Sequence, residues 1–269
     1  MTVLCPAKVN LSLAVGPPDA RGYHPLRTVF QAVGLFDELV ISPSSHAAFS
    51  CDWTDIPSEN TVTKAMRLTE ELLGMLPLSV HLTKRIPAQA GLGGGSSDAA
   101  GYLRALPRLV QGEFPHAFVR DVALAVGADV PFFLVGGRAF GEGYGERLTP
   151  LADEPRRWLV LAKPDGVGCD TPAAYRRLDA APREWRTDPP EGYNDFERVA
   201  PCESLDLIER LKSLGAGTAM LCGSGSAVFG AFEEPCRADR AASRLVNEGG
   251  SWVEVAPTLT RAESLVIRD

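Results

Sequence analysis

The sequence predicts an α+β fold in two domains, and three observations carry that prediction. Helical and strand-like periodicities are mixed along the chain without the regular alternation of a parallel-sheet protein. The 269 residues, 45% of them hydrophobic, suit one large or two modest cores. A charged stretch with a proline, residues 151–157, separates two halves that each hold strands and helices. The boundary is therefore expected after residue 152, with domains 1–152 and 153–269.

From Lys8 the polar residues Lys8, Asn10 and Ser12 alternate with Val9, Leu11 and Leu13, which predicts a strand with one polar and one apolar face. Between residues 58 and 74 the apolar Val62, Ala65, Met66, Leu72 and Leu73 fall on a helical stripe. Ser58 or Asn60 suits its start and Gly74 its end. Leu78, Val80 and Leu82 then alternate with Ser79, His81 and Thr83 as a half-buried strand. A glycine-serine run, Gly91-Leu92-Gly93-Gly94-Gly95-Ser96-Ser97, separates this strand from a helix expected over 98–106. A helix over 117–126 ends at Gly127, and Gly136-Gly137 and residues 141–145 are expected to be hairpin turns.

In the second half, residues 158–162 read as a buried strand ended by Pro164-Asp165-Gly166. Thr171-Pro172 starts a helix, with proline in its first turn. Residues 205–214 form another helix, ended by Gly215. Strands at 219–221 and 227–229 are joined through Gly223-Ser224-Gly225-Ser226. The proline-rich stretch 181–192 matches no pattern.

Composition excludes several functions. A net charge of −7 argues against a nucleic-acid groove. No run approaches the roughly 20 apolar residues of a membrane span, and residues 1–8 lack the features of a signal peptide. The six cysteines have neither Cys-x-x-Cys pairs nor metal spacing, as expected of reduced thiols in a cytoplasmic protein.

The chemistry is read from the glycine-serine run. Glycines 91, 93, 94 and 95 let the backbone approach a ligand closely. The helix start behind them offers free N–H groups and a positive dipole end to phosphate. Ser96 and Ser97 add hydroxyls for phosphate or a phosphate-bound magnesium. Other phosphate motifs are absent: no lysine follows a glycine as in a P-loop. The dinucleotide fingerprint lacks its last glycine, and there is no His-Arg-Asp. Read singly, Lys8 is an ordinary strand lysine, Asp129 a cap after Gly127, and Gly22-Tyr23-His24-Pro25 a turn.

Taken in order, Pro6-Ala7-Lys8-Val9-Asn10-Leu11, the run Pro87 to Ala100 and Gly223-Ser224-Gly225-Ser226 resemble the three motifs of the GHMP kinases. Gly22-Tyr23-His24, residues 124–133 and Asn194-Asp195 narrow the resemblance to a branch whose substrate carries a cytidine diphosphate moiety. It spans nearly the whole chain. It implies a ribosomal protein S5 domain 2-like N-terminal domain and a ferredoxin-like C-terminal domain, with the active site between them. It implies ATP as co-substrate, Mg2+, and phosphorylation of the 2-hydroxyl of the methylerythritol part of the substrate, in non-mevalonate isoprenoid synthesis. By position, the resemblance makes Asp129 and Lys8 catalytic. Asn10, Tyr23, His24, Thr171 and Tyr175 become substrate contacts, Tyr23 and Tyr175 flanking the cytosine. Asn60 and Lys84 join Gly91, Leu92, Gly93, Gly94, Gly95, Ser96 and Ser97 on the ATP side, with Ser97 the candidate for magnesium. The rival readings are a GHMP kinase for a smaller alcohol and an inactive nucleotide binder on the same fold.

Overall fold

The computed structural model describes residues 1–74, 77–109, 116–181 and 184–269. Strands β1 (Thr2–Val15) and β2 (Leu26–Pro43) form a long antiparallel hairpin at the centre of the first sheet. β2 is long enough to serve two further neighbours. Its residues 38–43 pair with β4 (Leu78–Thr83) and its residues 28–31 with β5 (Arg138–Glu142). β3 (Ala48–Cys51) lies parallel to β4, and β6 (Arg147–Pro150) makes a hairpin with β5. Helices α1 (Thr61–Leu73), α2 (Gly94–Leu109), α3 (His116–Val126) and α4 (Val130–Val135) contribute to one core with this sheet.

The second sheet is β10 (Ser251–Pro257), β7 (Trp158–Pro164), β9 (Val228–Phe232) and β8 (Thr218–Leu221), in that spatial order and all antiparallel. With α6 (Cys202–Ser213) between β7 and β8, and α7 (Pro235–Glu248) between β9 and β10, this is the ferredoxin-like βαββαβ arrangement. Helix α5 (Thr171–Asp179) adds Ala174 and Leu178 to the core shared by that sheet, α6 and α7.

A third core joins the two sheets. Val9, Leu11, Val33 and Leu92 from the first unit meet Leu159, Leu161, Met220 and Phe229 from the second. Burying a large apolar side chain contributes about 1.5–3 kcal/mol, so the contact is a continuous core, not a thin linker. After β10 the chain returns to the first unit. Thr258 bridges to Val33, α8 (Arg261–Ser264) follows, and β11 (Ile267–Arg268) pairs with β1.

Three expectations are corrected. The strand around Lys8 has no solvated face, because both of its faces are covered and Lys8, Asn10 and Ser12 are buried. At the register shift between Pro6 and Ala7 the facing changes, as such irregularities re-aim side chains. Val3 and Cys5 face the helices, whereas Ala7, Val9 and Leu11 face the second sheet and Lys8 lies over the Phe30 ring. The glycine-serine run is helical from Gly94, four residues earlier than its composition predicts. Gly136 is no hairpin turn: at φ 68 it ends α4, its N–H donating to Phe132 O. Residues 143–146 do turn the β5–β6 hairpin.

Candidate active site

The glycine-serine run is held from two sides before any ligand arrives. Lys8 N donates to Leu92 O at 2.9 Å, and Leu92 buries its side chain between the sheets. On the other side Ala227 N donates to Ala90 O at 3.2 Å and Ser226 N to Gln89 O at 3.3 Å. Gly91 must be glycine there: its φ is +75 and a Cβ would stand 1.9 Å from Cys222 O. The first backbone bond of α2 runs from Ser97 N to Gly93 O at 2.9 Å. The amides just before it have no intrahelical acceptor and carry the positive end of the helix dipole.

Two cavities meet at this run. One, of about 350 Å³, is lined by Trp53, Asn60, Lys84 and Pro87 together with residues 91–96. The other, of about 430 Å³, is lined by Lys8, Asn10, Asp129, Thr171, Tyr175 and Ser224 among others. Gly91, Gly93 and Ser96 belong to both walls. A group bound by the run's amides therefore lies at the junction of the two cavities.

On the second cavity's side a polar chain runs through buried space. Thr28 Oγ1 donates to Ser12 O at 2.6 Å and accepts from Asn10 Nδ2 at 2.8 Å. Lys8 Nζ donates to Asn10 Oδ1 at 2.8 Å and stands 3.5 Å from Asp129 Oδ2. Lys8 is 4% exposed and the Asp129 side chain 35%, so the lysine backs the carboxylate and the carboxylate meets the cavity. Asp129 precedes α4 yet makes no side-chain cap bond, which leaves its carboxylate to Lys8 and the cavity. The arrangement can hold a hydroxyl, accept its proton and place a cation beside the same point.

Thr171 and Tyr175 come from α5, which Asp170 caps by accepting from Ala173 N. Thr171 Oγ1 lies 2.9 Å from Ser224 Oγ, which ties α5 to the Gly223 hairpin. Asn194 holds that hairpin from behind, donating to Leu221 O at 3.0 Å and Gly223 O at 2.8 Å.

Several residues sit differently from their sequence-based expectation. Tyr23 and His24 line neither cavity. Tyr23 is 61% exposed with its ring 5.6 Å from that of Tyr144. His24 is buried, donates Nδ1–H to Gly16 O at 2.9 Å, and stacks on Tyr175 at 4.8 Å. Lys84 lines the first cavity, but its ammonium is bonded to the buried carboxylates of Asp37 and Asp98. Asn60, by contrast, is the N-cap of α1 that the sequence offered, accepting from Val62 N and Thr63 N, and it lines the first cavity. Ser97 is fully buried, its hydroxyl has no hydrogen-bond partner among the described residues, and it lines neither cavity, whereas Ser96 lines both. Thr28, Tyr144 and Ser224 had no place in the sequence reading of the site. Ser224 lay in a marked motif and Tyr144 in a marked turn, whereas Thr28 lay in no marked segment. Among the described residues no group of three or more His, Cys, Asp or Glu could hold a metal, and no helix is long and apolar enough to cross a membrane.

Comparison with known proteins adds an independent line. Residues 60–137 match the model of the GHMP kinases N terminal domain, and residues 198–251 that of the GHMP kinases C terminal. A 4-diphosphocytidyl-2-C-methyl-D-erythritol kinase of Anaeromyxobacter sp. (strain Fw109-5) is 39% identical, over 92% of this chain and 87% of the relative. Its counterpart in Moorella thermoacetica is 36% identical over 91% and 94%. A crystal structure of 4-(cytidine 5'-diphospho)-2C-methyl-D-erythritol kinase superposes with a TM-score of 0.82 at 37% identity, covering 95% of this chain and 99% of that one. Homoserine kinase from Cytophaga hutchinsonii shares the fold, with a TM-score of 0.71 at 17% identity over 97% and 94%.

Proposed function

The chain belongs to the 4-diphosphocytidyl-2-C-methyl-D-erythritol kinases within the GHMP kinases, and from that premise we propose how its residues carry the reaction. It is an ATP-dependent small-molecule kinase of non-mevalonate isoprenoid synthesis, and its acceptor is the 2-hydroxyl of 4-diphosphocytidyl-2-C-methyl-D-erythritol. The observation that supports the division of labour is the pair of cavities sharing Gly91, Gly93 and Ser96. ATP would fill the cavity of Asn60 and Lys84, and the acceptor that of Lys8, Asn10 and Asp129.

In this reading the hydroxyl oxygen attacks the γ-phosphorus, the bond to the β–γ bridging oxygen breaks, and ADP leaves. An alcohol is far too weak an acid for a carboxylate to deprotonate beforehand. The loose transition state of phosphoryl transfer relaxes that demand. Asp129 orients the hydroxyl and takes its proton late. Lys8, held by Asn10 and through it by Thr28, offsets the charge gathering on the phosphoryl oxygens. The amides at the start of α2 do the same for the β- and γ-phosphates.

Magnesium belongs to the proposal as a counter-ion for the phosphates. The hydroxyl oxygen of Ser96, in the wall shared by the two cavities, is the hard donor that would help hold it. Its chemistry there is charge neutralisation. For the cytidine end, Tyr23, His24 and Tyr175 are the proposed contacts. The Tyr23 ring, 61% exposed, would offer its open face to the base. The chain division at 152/153 and a cytoplasmic setting are parts of the same reading. All six cysteines are free thiols, the state that a reducing compartment maintains.

The test is ADP release with magnesium-ATP and 4-diphosphocytidyl-methylerythritol, beside mevalonate and homoserine. Turnover with the cytidine substrate alone is expected; turnover only with a smaller alcohol would remove the roles of Tyr23 and Tyr175. Asp129→Asn should lower kcat by about 10²–10⁴ with little change in KM for ATP. Near wild-type turnover in that variant would rule out Asp129 as the base.

A further inference from the structure

Arg21 and Tyr144 stand outside every motif used so far, and the fold joins them at the rim of the acceptor cavity. Tyr144 comes from the β5–β6 turn and lines the cavity with Asp129 and Tyr175. Its hydroxyl donates to Asp19 Oδ2 at 2.5 Å and accepts from Arg21 Nη2. Arg21 also donates from Nε and Nη2 to Asp19 Oδ2, both at 3.3 Å. The guanidinium lies over two rings, 5.4 Å from the centre of Tyr144 and 5.9 Å from that of Tyr23.

Asp19 organises the turn beneath, accepting from Arg21 N at 2.9 Å and Tyr23 N at 3.0 Å. The Tyr144 bond first, and then the backbone bond from Tyr23, lower its pKa to about 2, so it remains a carboxylate throughout the working range. Arg21 is thus anchored through Nε and Nη2. Its Nη1 amino group makes no hydrogen bond among the described residues, and the side chain is 68% exposed. An arginine on a surface is ordinarily a solubilising charge. One held on its aromatic faces and through Nε and Nη2 presents its remaining amino group, Nη1, as a fixed charged donor of the kind that phosphate oxygens accept.

Resting on the proposed cytidine substrate, we infer that Arg21 binds the acceptor's diphosphate through its free Nη1 amino group, and that Tyr144 positions it there. The reacting hydroxyl has to reach Asp129, and the base is expected at Tyr23. Tyr144 touches both ends, sharing the cavity wall with Asp129 and packing against the Tyr23 ring. The anionic segment between base and hydroxyl therefore passes Tyr144. Lys8, the cation in the cavity wall, is committed to Asn10 and Asp129. Arg27, the next cation along this edge, is paired with Glu142 at 3.3 Å. A diphosphate needs a further positive partner, and the fold puts Arg21 where it passes.

The test titrates wild type, Arg21→Ala and Tyr144→Phe with cytidine diphosphate and with cytidine, the nucleotide cavity being filled with ADP. Arg21→Ala should weaken cytidine diphosphate binding about tenfold or more and leave cytidine unchanged. Tyr144→Phe keeps the ring and loses the hydroxyl, so it should weaken only the diphosphate, by a few fold. An unchanged KM for ATP in both variants shows that the fold survives. Undiminished binding of cytidine diphosphate by Arg21→Ala, or equal losses for both ligands, would overturn the inference. Failure of wild type to bind cytidine at all would instead remove the cytidine reading and this inference with it.

Discussion

Asp37 and Asp98, both buried, share one ammonium, that of Lys84. Burial first, and then the charge of Asp37, push Asp98 well above the usual carboxylate range. For Lys84 burial is the largest influence and disfavours the ammonium, but the charges of Asp98 and Asp37 outweigh it and raise its pKa. Two carboxyls on one cation leave a net negative charge unless one keeps its proton. Folded Asp98 therefore holds a proton that the unfolded chain releases near pH 4. Its contribution to stability is full below that value and is lost as pH rises through the raised folded pKa. Lys84 adds a similar loss only at alkaline pH, above about 10. Asp98→Asn should flatten the fall of the urea midpoint with rising pH above pH 4; equal slopes in both proteins would refute the shared-proton account. Lys8, Asn10 and Asp129 were singled out through the resemblance of their segments to the GHMP kinases, and the fold brings them together in one cavity wall. Asp37 and Thr28 were not legible in the sequence, since each acts on a partner brought to it only by strand pairing or a distant turn.

Among the elements, α1 shows one residue serving the helix and lining the first cavity, the one proposed for ATP, at once. Asn60 Oδ1 accepts from Val62 N at 3.0 Å and Thr63 N at 3.1 Å, and Asn60 N donates in return to Thr63 Oγ1 at 2.9 Å. Asn60→Ala should cost about 1 kcal/mol of stability through the lost cap, read as a fall of about 2–4 °C in Tm. Asn60→Asp keeps the cap and brings a carboxylate to the nucleotide cavity, so Tm should hold while KM for ATP rises several fold. An unchanged KM in Asn60→Asp would leave Asn60 as a cap alone. The stripe at 62–73 and its end at Gly74 were readable because a capped amphipathic helix is a local pattern. The start of α2 was not. A Cβ on Gly94 would meet Ile86 and Lys84 at 3.0–3.1 Å, and one on Gly95 would meet Thr61 at 3.1 Å. Residues chosen for close approach read as loop residues even where the chain is helical.

Across the whole molecule, the segment after β10 closes the first unit behind the site. Ser264 Oγ accepts from Gly137 N at 2.8 Å, and Arg104 donates to Ser264 O at 3.3 Å and to Leu4 O at 2.8 Å. Arg261 donates to Val135 O, Arg138 O and Leu151 O, so the tail holds the junction of α4 and β5 that follows Asp129. Ser264→Ala leaves the buried Gly137 N–H unpaired and should cost about 1–3 kcal/mol, seen as a lower urea midpoint at an unchanged slope. A wild-type midpoint would show that the tail does not bear on stability. The sequence by itself determined the α+β class and the three motifs in their order, because helical stripes, strand alternation and turn residues act over a few positions. Only the tertiary structure decided that both faces of β1 are buried, that Lys84 spends its charge on two carboxylates, and that Arg21 meets Tyr144. Those facts depend on which distant segments share a cavity or a rim, and desolvation and ion pairing have no counterpart in local pattern.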